Sequence, residues 1–307
     1  MSRKVLLATE KAFAKVAVDG IEEIFAQAKY VLTKLENYKS KHELLQAVET
    51  AEAIIIRSDI VDKDVLDATK NLKIIVRAGA GYDNIDCITA KEKNICAMNT
   101  PGQNSNAVAE LVIGMAIYLA RGQFNGKSGF ELRGKKIGIH AYGNVGRFVA
   151  MIAKGLGMQV YAFDPYVPKE KMETEGLKVF TDMQTMYQTC EYISLHLPKT
   201  KETIKLINYD LLSLMPQGAT LINTARTEVI CEESLLKMFE TRNDFKYATD
   251  VANPETEAPF QKFKERYFST PKKMGAQTEE ANINAGIAAA QQIVDFFEKN
   301  DTRFRVN

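Results

Sequence analysis

The stretch KKIGIHAYGNVGRFVAMIAKGLGMQVYAFDP, residues 135–165, decides the fold of this chain. It contains an apolar strand, a glycine-containing turn, an amphipathic helix and a second apolar strand that ends in Asp164. This order is the βαβ fingerprint of a dinucleotide-binding fold, with Ala141 in place of the first glycine. Asp164 follows Gly146 by 18 residues, close to the spacing at which the fingerprint carries an acid. The stretch therefore predicts a Rossmann-type nucleotide domain.

The residues of this turn have separate expected roles in binding a nucleotide. Gly143 lets the backbone approach a pyrophosphate at the helix N-terminus, where unpaired N–H groups and the helix dipole favour an anion. Gly146 lets the helix and the strand pack closely. Asp164 can accept hydrogen bonds from the ribose hydroxyls and would repel a 2′-phosphate, which favours NAD over NADP. The predicted contacts in the turn are Tyr142, Gly143, Asn144, Val145 and Gly146.

Apolar runs alternate with helical patterns along the rest of the chain. The runs before the fingerprint resemble strands that are buried on both faces, and they lie at 4–9, 52–58, 73–79 and 95–101. Further strands are predicted at 159–164, 192–198, 219–225, 247–252 and 266–271. This alternation predicts an α/β protein with two Rossmann/flavodoxin-like domains, each built on a parallel, doubly wound sheet. A long helix at about 104–121 is apolar on nearly all sides, so we expect it to be buried between domains or subunits.

Composition excludes several classes of partner. Lys and Arg number 40 against 39 for Asp and Glu, so no global field favours a nucleic acid or a membrane surface. No segment approaches the roughly 20 apolar residues of a membrane span, and the first apolar run is too short for a signal peptide. The four cysteines show no metal-like spacing, so we expect no metal site. These features predict a cytoplasmic protein that binds a small molecule.

Four further segments resemble the D-isomer-specific 2-hydroxyacid dehydrogenases, and most closely the short type of phosphoglycerate dehydrogenase in that family. They are VRAGAGYDNID (76–86), NTPGQNSNAVAELVIGM (99–115), SLHLPKTKET (194–203) and LINTARTEVI (221–230). The resemblance implies a discontinuous substrate domain of residues 1–98 plus 283–307, and an NAD-binding domain of residues 99–282. It also implies a homodimer built partly on the long apolar helix. Because the chain ends after the last predicted helix, the regulatory C-terminal domain of longer relatives is expected to be absent.

The resemblance implies a substrate clamp and a nicotinamide site at the strand ends of the nucleotide domain. Arg226 matches the substrate-binding arginine of the family, and it follows an apolar strand. Its planar fork could bind a carboxylate and a C2 oxygen and stabilise developing negative charge. Asp250 matches the acid that contacts the nicotinamide end of NAD. The other implied cofactor contacts are His196, Leu197, Pro198, Thr203, Thr224, Ala225 and Ala276.

Two arginines indicate a phosphorylated substrate. Arg57 and Arg77 end neighbouring strands of the predicted substrate domain, and a glycine-rich segment follows the second of them. Two guanidinium groups and a nest of backbone N–H groups suit a doubly charged phosphate. The predicted substrate contacts are Arg57, Ser58, Arg77, Ala78, Gly79 and Asn104.

A lysine occupies the place of the histidine that normally acts as acid and base in this family. Here the corner is Thr270-Pro271-Lys272-Lys273, and Lys273 aligns best with the histidine position. Partial burial when the cleft closes, the charge of Arg226 and bound NAD⁺ would favour the neutral amine that a base requires. Lys273 is therefore predicted as the acid/base, and Lys272 as solvent-facing or an auxiliary charge. Glu255 has the spacing of the glutamate that orients the histidine, but an amine has no tautomer to orient.

The resemblance, together with these residues, implies oxidation of 3-phosphoglycerate with NAD. Two alternatives remain open at this point. One is a glyoxylate or hydroxypyruvate reductase of the same family, and the other is a non-catalytic NAD-sensing protein like the family's corepressors.

Overall fold

A computed structural model describes residues 2–252 and 257–307 of the chain. The chain divides into two compact units, which we call the first unit (Met1–Asn104 with Gln277–Asn307) and the second unit (Ser105–Ala276). Both are parallel α/β structures, so the predicted fold class is confirmed. The predicted assignment of residues 1–98 plus 283–307 to substrate and of residues 99–282 to cofactor stays a prediction.

The first unit contains a five-stranded parallel sheet in the order β2-β1-β3-β4-β5. The strands are β1 (Lys4–Thr9), β2 (Val31–Glu36), β3 (Ala53–Ile56), β4 (Ile74–Arg77) and β5 (Cys96–Asn99). The helices are α1 (Lys15–Gln27), α2 (Lys41–Val48), α3 (Lys63–Ala68), α4 (Cys87–Glu92) and, from the C-terminal segment, α11 (Glu279–Lys299). This strand order is flavodoxin-like, and its topological switch point lies between β1 and β3, where ligands of such folds bind.

Helices α1 and α11 pack closely on one face of this sheet. A Cβ built on Gly286 of α11 would lie 3.1 Å from a ring carbon of Phe13 and 3.2 Å from Ile21. One on Gly20 of α1 would lie 3.2 Å from Ile287. Small residues at both positions therefore bring the C-terminal helix against the first helix of the chain.

The sequence analysis missed two strands. β2 has the sequence VLTKLE and pairs with β1 at the edge of the sheet, with no fully buried residue. The second is a two-residue edge strand of the second unit, Lys178–Val179. Both escape a search for continuous apolar runs because an edge strand buries little of its surface.

The second unit contains a seven-stranded parallel sheet in the order β12-β11-β10-β9-β6-β7-β8. Its strands are β6 (Lys136–His140), β7 (Gln159–Phe163), β8 (Lys178–Val179), β9 (Tyr192–Leu195), β10 (Thr220–Asn223), β11 (Lys246–Thr249) and β12 (Tyr267–Ser269). Its helices are α5 (Ser105–Ala120), α6 (Asn144–Gly155), α7 (Lys169–Thr174), α8 (Met183–Thr189), α9 (Tyr209–Ser213) and α10 (Glu232–Thr241). Strand order reverses between β6 and β9, so the turn after β6 lies at the switch point of this sheet.

Helix α5 is the predicted long apolar helix, and much of its burial is explained inside the second unit. It packs against α6 and against strands β10 and β11. Its buried residues, such as Val112, Ala116 and Leu119, belong to the same core cluster as Ile137 and Val149. Packing inside the second unit explains the apolar character of this face, and the expected burial between domains or subunits stays a prediction.

Across the described residues, no helix combines the length and the apolar character that a membrane crossing requires.

Candidate active site

The turn between β6 and α6 holds the predicted contacts Tyr142, Gly143, Asn144, Val145 and Gly146. Gly143 is the N-cap of α6, and a Cβ built there would meet no described atom within 4 Å. A Cβ on Gly146 would lie 2.7 Å from the carbonyl oxygen of Ala141. Gly143 thus leaves space outside the helix N-terminus, whereas Gly146 permits the close contact between α6 and the end of β6.

Ala141 occupies the position of the fingerprint's first glycine and keeps a glycine-like backbone. Its φ is 76°, in the left-handed region, which costs a residue with a Cβ about 1–2 kcal/mol. The N–H of Ala141 donates to the carbonyl oxygen of Phe163 at 2.9 Å, and its own carbonyl faces Gly146. The surrounding contacts therefore hold an alanine in the conformation that the turn requires.

Asp164 lies at the end of β7, beside this turn. One carboxylate oxygen accepts the backbone N–H of Tyr142 at 2.7 Å, and the other accepts that of Tyr166 at 2.8 Å. These bonds fix the carboxylate at the strand edge. Because each oxygen has a second lone pair, the group could also accept hydrogen bonds from a ribose.

Beyond β9 lie the predicted contacts His196, Leu197, Pro198 and Thr203. The backbone N–H of His196 donates to the carbonyl oxygen of His140 at 2.9 Å, which joins the ends of β9 and β6. The hydroxyl of Thr203 donates to the carbonyl oxygen of Pro198 at 2.6 Å and thereby closes the loop. Leu197 is buried, and Pro198 is exposed.

The imidazole rings of His140 and His196 each contact a hydroxyl group near the ends of β6 and β9. The ring of His140 contacts the hydroxyl of Tyr187 at 3.1 Å, and that of His196 contacts the hydroxyl of Ser194 at 3.0 Å. Burial lowers the pKa of His140 to about 4. Burial, and then the charge of His140, lower the pKa of His196 to about 3. Both rings are therefore neutral near pH 7 and contribute no positive charge to the site.

Two buried oxygens at the ends of β10 and β11 have no hydrogen-bond partner among the described residues. They are Oγ1 of Thr224 and Oδ1 of Asp250. The other carboxylate oxygen of Asp250 accepts the N–H of Gly275 at 2.6 Å and of Met274 at 3.3 Å. Burial raises the pKa of Asp250, while the Gly275 N–H and the charge of Lys273 act in the opposite direction. An unpaired acceptor of this kind calls for a ligand that donates hydrogen bonds.

Arg226, Lys272 and Lys273 line one cavity of about 550 Å³ in the second unit, together with Asp250 and Glu257. The backbone before Arg226 is fixed by Asn223, whose side chain accepts the N–H of Ala225 at 3.0 Å and donates to the carbonyl of Arg226 at 2.9 Å. Both lysines are exposed. The structure thus brings the two predicted catalytic residues to one cavity, beside the predicted nicotinamide acid. Ala276 is the last residue of the second unit.

In the first unit, Arg57 and Arg77 lie at the ends of the neighbouring strands β3 and β4. The Nε–H of Arg77 donates to the carbonyl oxygen of Arg57 at 2.9 Å. A Cβ on Gly79 would lie 1.5 Å from a guanidinium nitrogen of Arg77, so a larger residue there would displace the end of this side chain. The φ of Gly79, 147°, also favours glycine.

The remaining predicted substrate contacts are less uniform in their surroundings. Ser58 is exposed directly after Arg57, whereas Ala78 is buried and donates its N–H to the carbonyl of Ile56 at 2.8 Å. Asn104 is half-buried at the end of the first segment of the first unit.

Residues 107–272 match the NAD binding domain of the D-isomer specific 2-hydroxyacid dehydrogenases, over more than half of the chain. This chain belongs to that family.

Individual members of the family resemble it over most of its length. It is 35% identical to D-3-phosphoglycerate dehydrogenase of Archaeoglobus fulgidus, over 99% of this chain and 59% of the relative. It is 36% identical to hydroxypyruvate reductase of Thermotoga maritima, over 82% of this chain and 87% of the relative. The crystal structure of NAD⁺-bound 3-phosphoglycerate dehydrogenase from Entamoeba histolytica superimposes with a TM-score of 0.90 at 45% identity, over 100% of this chain and 99% of that one. The chain spans only about half the length of most of the curated phosphoglycerate dehydrogenases that it matches.

NAD is the cofactor of this dehydrogenase family's nucleotide domain, and the second unit has features that fit it. The space beside Gly143 can accept a pyrophosphate against the N-terminus of α6. The unpaired oxygens of Thr224 and Asp250 suit the donor N–H groups of a nicotinamide carboxamide. The individual contacts stay predictions.

Two residues of this site were missed by the sequence analysis, and one residue that it discussed, Glu255, lies outside the described residues. Glu257, which the sequence analysis did not consider, lines the same cavity as Lys273 and accepts hydrogen bonds from Ser269 and, at 3.2 Å, from Tyr267. Glu257 lies outside the four segments that carry the family resemblance, and Asn223, although it lies within LINTARTEVI, was not assigned a role from the sequence.

Proposed function

We propose that this dehydrogenase oxidises 3-phosphoglycerate to 3-phosphooxypyruvate with NAD⁺, the first step of serine biosynthesis. The observation that carries the proposal is the arginine pair of the first unit. Arg57 and Arg77 stand at neighbouring strand ends, and the Nε–H of Arg77 donates to the carbonyl oxygen of Arg57. Two arginine side chains thus start from the same edge of the sheet, an arrangement that suits a doubly charged phosphate. Similarity to the Archaeoglobus and Entamoeba phosphoglycerate dehydrogenases supports the same substrate.

Arg226 and Lys273 are the proposed catalytic residues. The guanidinium of Arg226 binds the substrate carboxylate and the C2 oxygen, where its charge stabilises the developing alkoxide. The amine of Lys273 removes the proton from the C2 hydroxyl and returns it in the reverse reaction. Bound NAD⁺ supplies the hydride acceptor. Location of both side chains on one cavity supports this division of roles.

A second candidate is reduction of hydroxypyruvate, because a Thermotoga protein of that name is 36% identical over 87% of its length. The substrates of the two activities differ in that only 3-phosphoglycerate carries a phosphate. Arg57 and Arg77 favour the phosphorylated acid, since an unphosphorylated one offers a single carboxylate to several cations.

A comparison of 3-phosphoglycerate with glycerate tests the proposal, because the two acids differ only in the phosphate. NADH formation should show a much higher kcat/KM for 3-phosphoglycerate. Arg57→Ala and Arg77→Ala should raise KM for 3-phosphoglycerate about 10- to 100-fold, the loss expected for a hydrogen bond to a charged group. Neither change should alter kcat/KM for glycerate by a comparable factor.

Arg303→Ala is a suitable control, since Arg303 is an exposed arginine paired with Asp301 in the same unit. Equal kcat/KM for the two acids would contradict the phosphate assignment. NADH binding without turnover of either acid would instead support the NAD-sensing alternative.

We also propose a cytoplasmic homodimer that binds neither nucleic acid nor membranes. Equilibrium sedimentation should give twice the chain mass of 34.3 kDa. A mass equal to that of one chain at micromolar concentration would contradict the dimer.

A further inference from the structure

The guanidinium of Arg57 is held on several sides by groups of the first unit. Its Nη1 lies 3.2 Å from the carbonyl oxygen of Lys11 and 3.3 Å from that of Ala12, both in the loop after β1. Its Nη2 donates to Oδ1 of Asn282 on α11. The Phe13 ring lies under the guanidinium, with its centroid 4.9 Å from Cζ. The side chain therefore lies at the β1–β3 switch point of the sheet, where a ligand of this fold is expected.

Asn282 is itself fixed, so it can fix Arg57. It lies in the first turn of α11, and its Nδ2 donates to the carbonyl oxygen of Thr278 at 2.7 Å. The hydroxyl of Thr278 caps the same helix by accepting the N–H of Ala281 at 3.1 Å. With its Nδ2 bound to Thr278, the amide presents Oδ1 to Arg57.

Among the described residues, every acceptor of a hydrogen bond from this guanidinium is neutral. The carboxylate of Asp59, two residues further along the chain, is bound by other groups: it accepts the backbone N–H of Arg57 at 3.0 Å, the N–H of Glu10 at 2.7 Å and the hydroxyl of Tyr38 at 2.9 Å. Nε–H of Arg57 donates to no described acceptor. The hydrogen bonds therefore orient the guanidinium without engaging a carboxylate, which leaves it able to bind an anion.

We propose that Asn282 is a positioning residue that sets the specificity of the site for a phosphorylated substrate. It holds the guanidinium of Arg57 in place through a neutral acceptor, so that the positive charge is kept for the substrate phosphate. An aspartate at this position would hold the same guanidinium but would pair with it and repel the phosphate. The inference rests on the proposed function, because it takes Arg57 as the phosphate ligand.

Steady-state kinetics of Asn282→Ala and Asn282→Asp test this role. Asn282→Ala should raise KM for 3-phosphoglycerate about tenfold, as expected when a hydrogen bond to a charged group is lost. Asn282→Asp should raise it further, although the acceptor is retained. In both variants kcat with 3-phosphoglycerate and kcat/KM with glycerate should stay within about twofold of the wild type, because the reacting centre lies elsewhere on the substrate.

Asn284→Ala is the matched control, since Asn284 is an exposed asparagine two residues further along α11. It should leave both substrates unaffected. A merely structural role for Asn282 would predict that kcat falls for both acids together with the unfolding temperature, and that result would overturn the proposal. If Asn282→Ala does not fold, the order of KM values in wild type and Asn282→Asp decides the question.

Arg57→Ala separates this inference from the proposed function. If Arg57→Ala leaves KM for 3-phosphoglycerate unchanged, the phosphate assignment is wrong. If Arg57→Ala raises KM but Asn282→Asp does not, the phosphate assignment stands and the positioning role of Asn282 is wrong.

Discussion

At the scale of single residues, the two lysines after β12 differ in their surroundings although both are exposed. The carbonyl of Lys272 accepts the hydroxyl of Thr270 at 2.7 Å, which ties its backbone to the strand end. Burial raises the pKa of the Asp250 carboxyl, and the charge of Lys273 acts against that rise. Lys273 is thus the lysine whose charge reaches the predicted nicotinamide acid.

We predict that Lys273→Ala lowers kcat by about 10²- to 10⁴-fold, the usual contribution of a general acid or base. Lys272→Ala, a change of the same chemistry in the neighbouring residue of the same cavity, should lower it less than about threefold. NADH formation at saturating 3-phosphoglycerate measures both, and added small primary amines should partly restore only the Lys273 variant. Similar losses in the two variants would contradict the assignment.

Ala141 provides a second test at this scale. Ala141→Gly relieves about 1–2 kcal/mol of left-handed strain and costs about 0.5–1 kcal/mol in chain entropy. The free energy of unfolding in urea should therefore rise slightly or stay unchanged. Ala150→Gly, in the interior of α6, should lower it by about 1 kcal/mol. Equal destabilisation by the two changes would show that Ala141 is not strained.

At the scale of elements, α6 and its N-cap residue include three glycines at different positions of the helix. Gly143 faces open space at the N-cap, Gly146 contacts the end of β6, and a Cβ on Gly155 in the last turn would meet no described atom within 4 Å. Substitution of these glycines can therefore separate three effects: ligand approach at Gly143, packing at Gly146 and helix propensity at Gly155.

We predict three different outcomes for substitution of these glycines by alanine. Gly155→Ala should stabilise the protein by up to about 1 kcal/mol through helix propensity. Gly146→Ala should destabilise it and weaken NAD binding, because a Cβ there overlaps the carbonyl of Ala141. Gly143→Ala should weaken NAD binding with little change in the stability of the cofactor-free protein. Urea unfolding measures the free energy of unfolding, and NADH fluorescence titration measures cofactor affinity. A loss of stability in Gly143→Ala would contradict the expectation that the space beside Gly143 is open to a ligand.

At the scale of the whole molecule, acid stability should reflect the buried histidines. An unfolded histidine has a pKa of about 6.5, whereas burial holds that of His140 at about 4. The unfolded state therefore binds more protons below pH 6.5, so stability is complete above that pH and falls as the pH drops toward 4.

Between about pH 7.5 and about pH 5, His140 should account for a loss of roughly 2 kcal/mol in the free energy of unfolding. Urea unfolding of the cofactor-free protein at both pH values measures this loss, and His140→Gln should reduce it. His42→Gln is the control, since His42 is exposed on α2 and should leave the pH dependence unchanged. The same pH dependence in all three proteins would contradict a role for His140.

The sequence by itself determined the elements whose signals are local. Strands β1, β3 and β4 have continuous apolar runs because they are buried on both faces, and residues 135–165 contain the complete βαβ fingerprint. Strand β2 lacked such a signal because one edge strand buries few side chains. Arg226 and Lys273 could be chosen only through the family resemblance, since neither has a local signature.

Tertiary structure alone decided which distant residues meet. Asn282 contacts Arg57 across 225 residues of chain, and the carboxylate of Asp250 meets the N–H of Gly275 across 25. Periodicity reports whether a residue is buried, because burial depends on the face of one helix or strand. It does not report the partner, since the partner depends on strand order and on where loops from separate strands converge. For that reason the nucleotide fold was predictable from the sequence, whereas the hydrogen bond from the Arg57 guanidinium to the neutral side chain of Asn282 was not.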